Sequence, residues 1–250
     1  MRKVAIVQAR MGSTRLPGKV MKPLCGISVL GHILLRLQSS QLLDDIVVAT
    51  SKLSRDDVVA MEAQRYGVQV CRGSETDVLA RYRQAAEQAG ADWVVRITAD
   101  CPLIDPVLLD NMLEELQERL ACGERIGFFT NTQPHSYPRG LDVEIFPRWA
   151  LEQACTEATE DYQREHVTPF IIEQGERYPL VNVTACRDTS HLRWTLDTPE
   201  DFQFFQAVYE ALYRDGELIT TAQVMDLLVK RPEIGAINAH VPQKEGRLAS

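Results

Sequence analysis

Hydrophobic and polar positions follow two rhythms along this chain, and the rhythms take turns. Val4-Ala5-Ile6-Val7 is a short apolar run of the kind that forms a buried strand, predicted over 3–9. A helix is predicted over 29–37, where VLGHILLRL follows Ser28 as a suitable N-cap. Further strands are predicted over 45–51, 68–71, 93–99 and 127–130. Helices over 55–66 (capped by Ser54, stopped by Gly67), 76–90 and 107–120 separate them. Amphipathic helices between short buried strands predict an α/β fold, a mostly parallel sheet covered on both faces.

The rhythm loosens after Thr130. NTQPHSYPR (131–139) reads as a loop, and LDVEIF (141–146) alternates as a half-exposed strand. Helices over 147–158 and 162–174 and strands over 180–184 and 192–196 follow. Thr198-Pro199-Glu200-Asp201 then starts a helix running to about 213: a cap, a proline at the first helical position and acids in the first turn. A last helix covers 222–230. With no linker or repeat, residues 1–250 read as one domain with a small inserted lobe at about 132–190.

Charge changes this picture. Residues 1–43 carry seven cations and no Asp or Glu, while the remaining 207 residues carry a net charge of −15. A basic island in an acidic chain suits a small polyanion, and the overall −8 argues against nucleic-acid or membrane partners. The six cysteines are scattered without a C-x-x-C, which suits reduced thiols. No apolar run approaches membrane-spanning length and no leader pattern precedes the first strand, so a cytoplasmic protein is expected.

Three of these cations lie in Arg10-Met11-Gly12-Ser13-Thr14-Arg15-Leu16-Pro17-Gly18-Lys19, directly after the first strand. A Gly/Pro-punctuated basic loop between a strand and a helix is a phosphate cradle: main-chain N–H groups face the anion and cations neutralise it. It is not a Walker A loop, since five residues separate Gly12 from Gly18 and Val20 follows Lys19. G-x-G-x-x-G and kinase motifs are absent as well. In parallel sheets ligands sit at the carboxyl ends of strands. This loop and Asp100, which ends the strand WVVRITA, would share that edge.

QARMGSTRLPGK resembles the N-terminal signature of sugar cytidylyltransferases, the group of CMP-Kdo synthetases and acylneuraminate cytidylyltransferases. The branch named for spore-coat polysaccharide biosynthesis is the nearest in pattern. Arg72-Gly73-Ser74-Glu75-Thr76-Asp77, Thr98-Ala99-Asp100-Cys101-Pro102-Leu103, Gly140-Leu141-Asp142-Val143-Glu144 and Leu196-Asp197-Thr198-Pro199-Glu200-Asp201 continue the likeness in order, over roughly 3–210.

The resemblance implies a Rossmann-like nucleotidyltransferase fold and attack of a sugar hydroxyl on the α-phosphate of CTP, with release of pyrophosphate. It implies a nucleotide site formed by Ala9, Arg10, Met11, Gly12, Ser13, Arg15 and Lys19 with Arg72, Gly73, Ser74 and Asp77. Arg10, Arg15, Lys19 and Asp100 would carry catalysis. Asp100 and, by resemblance, Asp197 would hold Mg²⁺, which needs only one or two carboxylates beside phosphates and water. Arg139, Asp142, Glu144 and His166 would meet the acceptor, a sugar acid such as a 3-deoxy-ulosonic or nonulosonic acid, and a homodimer is a further expectation. Two alternatives stay open: a metal-dependent glycosyltransferase of related fold, although Asp100-Cys101-Pro102 lacks a D-x-D, and a non-catalytic nucleotide-binding module.

Overall fold

Strand β1 (Lys3–Gln8) is an interior strand of a seven-stranded sheet. Its alternate side chains feed two cores: Ala5 and Val7 point to one face, Val4 and Ile6 to the other. The structure, a computed structural model, describes residues 1–243. From β1 the chain crosses a short hairpin, β2 (Pro23–Leu24) and β3 (Ile27–Ser28), and helix α1 (Val29–Gln38) to reach β4 (Asp45–Ser51). Helix α2 (Asp57–Arg65) leads to β5 (Gln69–Gly73) at the sheet edge. Helix α3 (Val78–Gln88) returns the chain to β6 (Trp93–Thr98), on the opposite side of β1.

Four parallel strands therefore run in the order β5-β4-β1-β6, and the order reverses between β1 and β6. A crevice opens outside the strand carboxyl ends at such a reversal. The loop after β1 and the segment after β6 flank it.

Helix α4 (Pro106–Ala121) and β7 (Phe128–Thr130) follow. The segment expected as an inserted lobe stays joined to the sheet. Strand β8 (Glu144–Pro147) lies antiparallel between β6 and β7, and β9 (Leu180–Asn182) pairs parallel to β7. Between them come α5 (Arg148–Glu157), α6 (Asp161–His166) and α7 (Pro169–Glu173). Helices α8 (Pro199–Leu212), α9 (Thr221–Lys230) and α10 (Pro232–Ala236) complete the described chain.

Three local expectations change. The helix predicted over 162–174 is two helices, because Val167 turns at φ 74° and the chain restarts with Pro169 at the first position of α7. The strand predicted over 192–196 is reduced to one bridge, Arg193 beside Arg139. The half-exposed strand predicted over 141–146 begins at Glu144, and Val143 before it is fully buried. Among the described residues no helix is long and apolar enough to cross a membrane.

Candidate active site

The loop after β1 is held open by its own chemistry. Gly18 adopts φ 68°, accessible to glycine at no steric cost, and its N–H bonds the Met11 carbonyl at 3.2 Å, closing a ring of residues 11–18. Ser13 Oγ accepts from Leu16 N at 3.3 Å. The Met11 N–H donates at 2.7 Å to Oδ1 of Asp56, a fully buried carboxylate that also accepts from Ser51 Oγ. The main-chain N–H groups of Arg10, Gly12, Thr14 and Arg15 have no acceptor among the described residues. The ring thus presents unpaired amides, as an anion cradle requires.

Lys19 leaves this ring in a single 3₁₀ turn, Lys19–Met21, and its ammonium is fully engaged. Nζ lies 3.0 Å from Asp100 Oδ2, 2.9 Å from Asp197 Oδ1 and 2.7 Å from the Leu196 carbonyl. Leu196 N donates to the Asp100 carbonyl at 2.8 Å, so the segments after β6 and before α8 are tied side by side. Burial opposes the Lys19 charge, but Asp100 and Asp197 overcome it and raise its pKa. Burial likewise pushes Asp100 up, and Lys19 with the Thr98 hydroxyl outweighs it, leaving Asp100 below its ordinary value.

Asp197 is ringed by three cations. Arg15 Nη2 is 3.1 Å away and Arg193 Nη2 3.2 Å, in addition to Lys19. Asp197 is not the helix cap: Thr198 caps α8 in a capping box with Asp201. Asp201, fully buried, accepts from Arg193, from the amides of Asp197 and Thr198, and from Asn238 Nδ2 at 2.9 Å. Asn238 also donates to the Arg193 carbonyl at 3.0 Å. Asp56, Arg193, Asp201 and Asn238 are missing from the sequence-based site because each acts through another residue.

The remaining sequence candidates divide. Arg10 bonds the Glu75 carbonyl at 3.4 Å with its carboxylate 4.0 Å away, and Arg55 pairs with the same Glu75. A Cβ on Gly12 would come within 3.2 Å of both Arg55 and Glu75, so Gly12 brings the β1 loop against the segment after β5. Arg72 turns away: its guanidinium holds the Ser51 and Leu53 carbonyls at 2.9 Å and Asp57 at 2.6 Å. Ser74 and Asp77 order the start of α3, Ser74 accepting from Asp77 N and Asp77 from Ala80 N, both at 3.0 Å. Asp77 also pairs with Arg164 at 2.6 Å. Gly73 ends β5, with Ala9 N bonded to the Ala49 carbonyl of neighbouring β4.

On the acceptor side, Glu144 is spoken for by Arg96 of β6 and the Thr168 hydroxyl. His166 ends α6 exposed, its ring without a hydrogen-bond partner among the described residues and its carbonyl accepting from Thr168 N. Arg139 instead reaches His135, Nη1 lying 2.7 Å from Nδ1, and His135 is 3.5 Å from Asp142. Arg139, His135 and Asp142 form a polar cluster, of which His135 has no signature in sequence. Arg139 Nε and Trp194 Nε1 are buried donors without a partner among the described residues.

Residues 4–228 match the family model described as cytidylyltransferase. Spore coat polysaccharide biosynthesis protein SpsF of Bacillus subtilis is 32% identical over 237 residues, covering 91% of this chain and 94% of that protein. A cytidylyltransferase structure from Leptospira borgpetersenii superposes with a TM-score of 0.88 at 34% identity, over 98% of this chain and 100% of that one. The fold is also that of CMP:2-keto-3-deoxy-manno-octonic acid synthetase complexed with CTP, at a TM-score of 0.63 and 17% identity, covering 84% and 99%. The chain belongs to the cytidylyltransferase family.

Proposed function

We propose that the protein transfers CMP from CTP to a sugar hydroxyl, releasing pyrophosphate, in the synthesis of a surface polysaccharide or glycan. The observation that carries this reading is the Lys19 ammonium bound between Asp100 and Asp197 at the strand-order reversal. In this arrangement the catalytic cations and acids neutralise one another until a substrate exchanges their partners. A triphosphate competes with Asp197 for Arg15, which forks across phosphate oxygens, while Lys19 supplies a point charge. The free amides of Arg10, Gly12, Thr14 and Arg15 add donors without charge.

Asp100 and Asp197 suit Mg²⁺ in donor type and number. Both are hard carboxylates, and among the described residues no cluster of three or more potential ligands competes as a preformed metal cage. When bound, the ion would draw charge from the transferring phosphoryl group and acidify the attacking hydroxyl. The hydroxyl oxygen bonds the α-phosphorus as the bridge to the β-phosphate breaks, and pyrophosphate leaves with the electron pair. Positioning and charge neutralisation account for the catalysis.

The Arg139–His135–Asp142 cluster supports an acceptor bearing a carboxylate, a 3-deoxy-ulosonic or nonulosonic acid, with Arg139 on the carboxylate and Asp142 on hydroxyls. The test is pyrophosphate release from CTP and Mg²⁺ across a panel of such sugars. Release with one sugar and loss in Asp100→Asn are expected. Silence across the panel, with CTP binding intact, would instead support a nucleotide-binding module.

A further inference from the structure

Five of the seven cations in the N-terminal island meet an acid: Arg2 with Asp45, Lys3 with Asp44, Arg10 with Glu75, Arg15 with Asp197, and Lys19 with Asp100 and Asp197. Lys22 lies over the ring of Phe202, 5.0 Å from its centroid. Arg36 is the exception. It sits in the last turn of α1 and is 3% exposed. Its Nε donates to the Ile104 carbonyl, and neither Nη has a hydrogen-bond or ionic partner among the described residues. The partial negative charge at the end of α1 favours a cation there but leaves the guanidinium fork unfilled. Burial accordingly pulls the Arg36 pKa down.

Arg36 lines a cavity of about 250 Å³. An apolar cavity of roughly 150 Å³ already holds a benzene ring. His32, Leu35, Tyr209, Tyr213 and Leu218 form much of its wall. His32 brings no competing charge: burial lowers its pKa, and Nε2 donates to the Leu24 carbonyl at 2.8 Å. Glu217 lines the same cavity but is exposed and unpaired with Arg36.

We propose that this cavity binds a small organic anion, its oxygens held by the two Nη groups of Arg36 and its apolar body packed on Leu35, Tyr209, Tyr213 and Leu218. Arg36 Nε on the Ile104 carbonyl and Tyr209 OH on the Pro102 carbonyl, at 2.8 Å, brace the segment immediately after Asp100. An occupant therefore contacts the two residues that fix the approach to the catalytic edge. The site stands whether or not the reaction proposed above is correct.

The test is calorimetric titration of the full chain with benzoate and, separately, phenyl phosphate. Saturable binding of either is expected, and which one binds identifies a carboxylate or a phosphate ligand. Arg36→Gln weakens it about ten-fold or more, the loss of a charge-assisted hydrogen bond. Leu218→Trp narrows the cavity from a partly exposed position, weakens binding likewise, and carries the test if Arg36→Gln does not fold. Arg15→Ala, in the phosphate loop, leaves binding unchanged. Absence of saturable binding to the wild-type chain, or equal affinity in wild type and Leu218→Trp, overturns the proposal.

Discussion

Lys19 and Asp197 are separated by 178 residues in sequence and by 2.9 Å in space. Their contact joins the first loop of the chain to the start of α8, and Asp100 completes the arrangement from β6. Lys19 depends on both carboxylates, and Asp100 on Lys19, for its charge to be tolerated where it is.

Replacing Lys19 with Met removes the cation between two carboxylates. We expect kcat/KM to fall about 10²–10³-fold, the scale for losing one electrostatic stabiliser of developing charge. The ligand-free protein should also lose about 1–2 kcal/mol, because Asp100 and Asp197 then face each other with only Arg15 and Arg193 nearby. Urea unfolding with and without CTP and Mg²⁺ separates the two effects; unchanged turnover would remove Lys19 from the mechanism.

The same pair sets a pH dependence. Asp100 has a lowered pKa in the folded state, so its contribution is complete above the ordinary aspartate value and is lost as pH falls through the folded one. Lys19 has a raised pKa, so its contribution is complete below the ordinary lysine value and is lost as pH rises through the folded one. Thermal stability should therefore decline below about pH 4 and again above about pH 10.5. In Asp100→Asn the acid limb should be shallower; an identical limb would show that other carboxylates govern it.

Glu144→Gln distinguishes a structural acid from an acceptor ligand. Glu144 neutralises Arg96 across β6 and β8, both largely buried. Its loss should cost about 3 kcal/mol in denaturant unfolding, with the KM for the sugar nearly unchanged in the folded fraction. A large rise in sugar KM at wild-type stability would return Glu144 to the acceptor site.

Gly140→Ala should act in the opposite way. Gly140 has φ 109°, and a Cβ there would stand 2.1 Å from the Trp194 carbonyl. The substitution must push Arg139 away from the 192–194 segment, costing at least about 2 kcal/mol. The sugar KM should rise more than the CTP KM, which steady-state kinetics with each substrate varied in turn would read.

The alternation of strands and helices was legible because β1, β4 and β6 are largely buried and spell their burial in runs of apolar residues. Arg15, Lys19 and Asp100 were legible as charges in punctuated loops, and Asp197 through the family resemblance. The contacts of Arg72 with the Ser51 and Leu53 carbonyls and of Glu144 with Arg96 were not legible, because a charged side chain in a motif looks the same whether it faces a ligand or braces a strand end. Asp56, Arg193 and Asn238 had no local signal at all. Asp56 and Asn238 work across separations in sequence, 45 residues to Met11 and 37 to Asp201, that no spacing rule reaches.

The single antiparallel strand has a consequence for how such a protein diversifies. Because β8 runs against its neighbours, the segment 131–143 both leaves β7 and re-enters the sheet at the end where β1 and β6 deliver Lys19 and Asp100. It forms a closed excursion, anchored at the base by Asn131, whose side chain bonds the Leu141 carbonyl at 2.8 Å and the Val143 amide at 2.9 Å. Exposed residues between those anchors can change without shifting the strand register or the loop after β1. Under the proposed function, one donor site would thus serve successive acceptors by rewriting about a dozen residues.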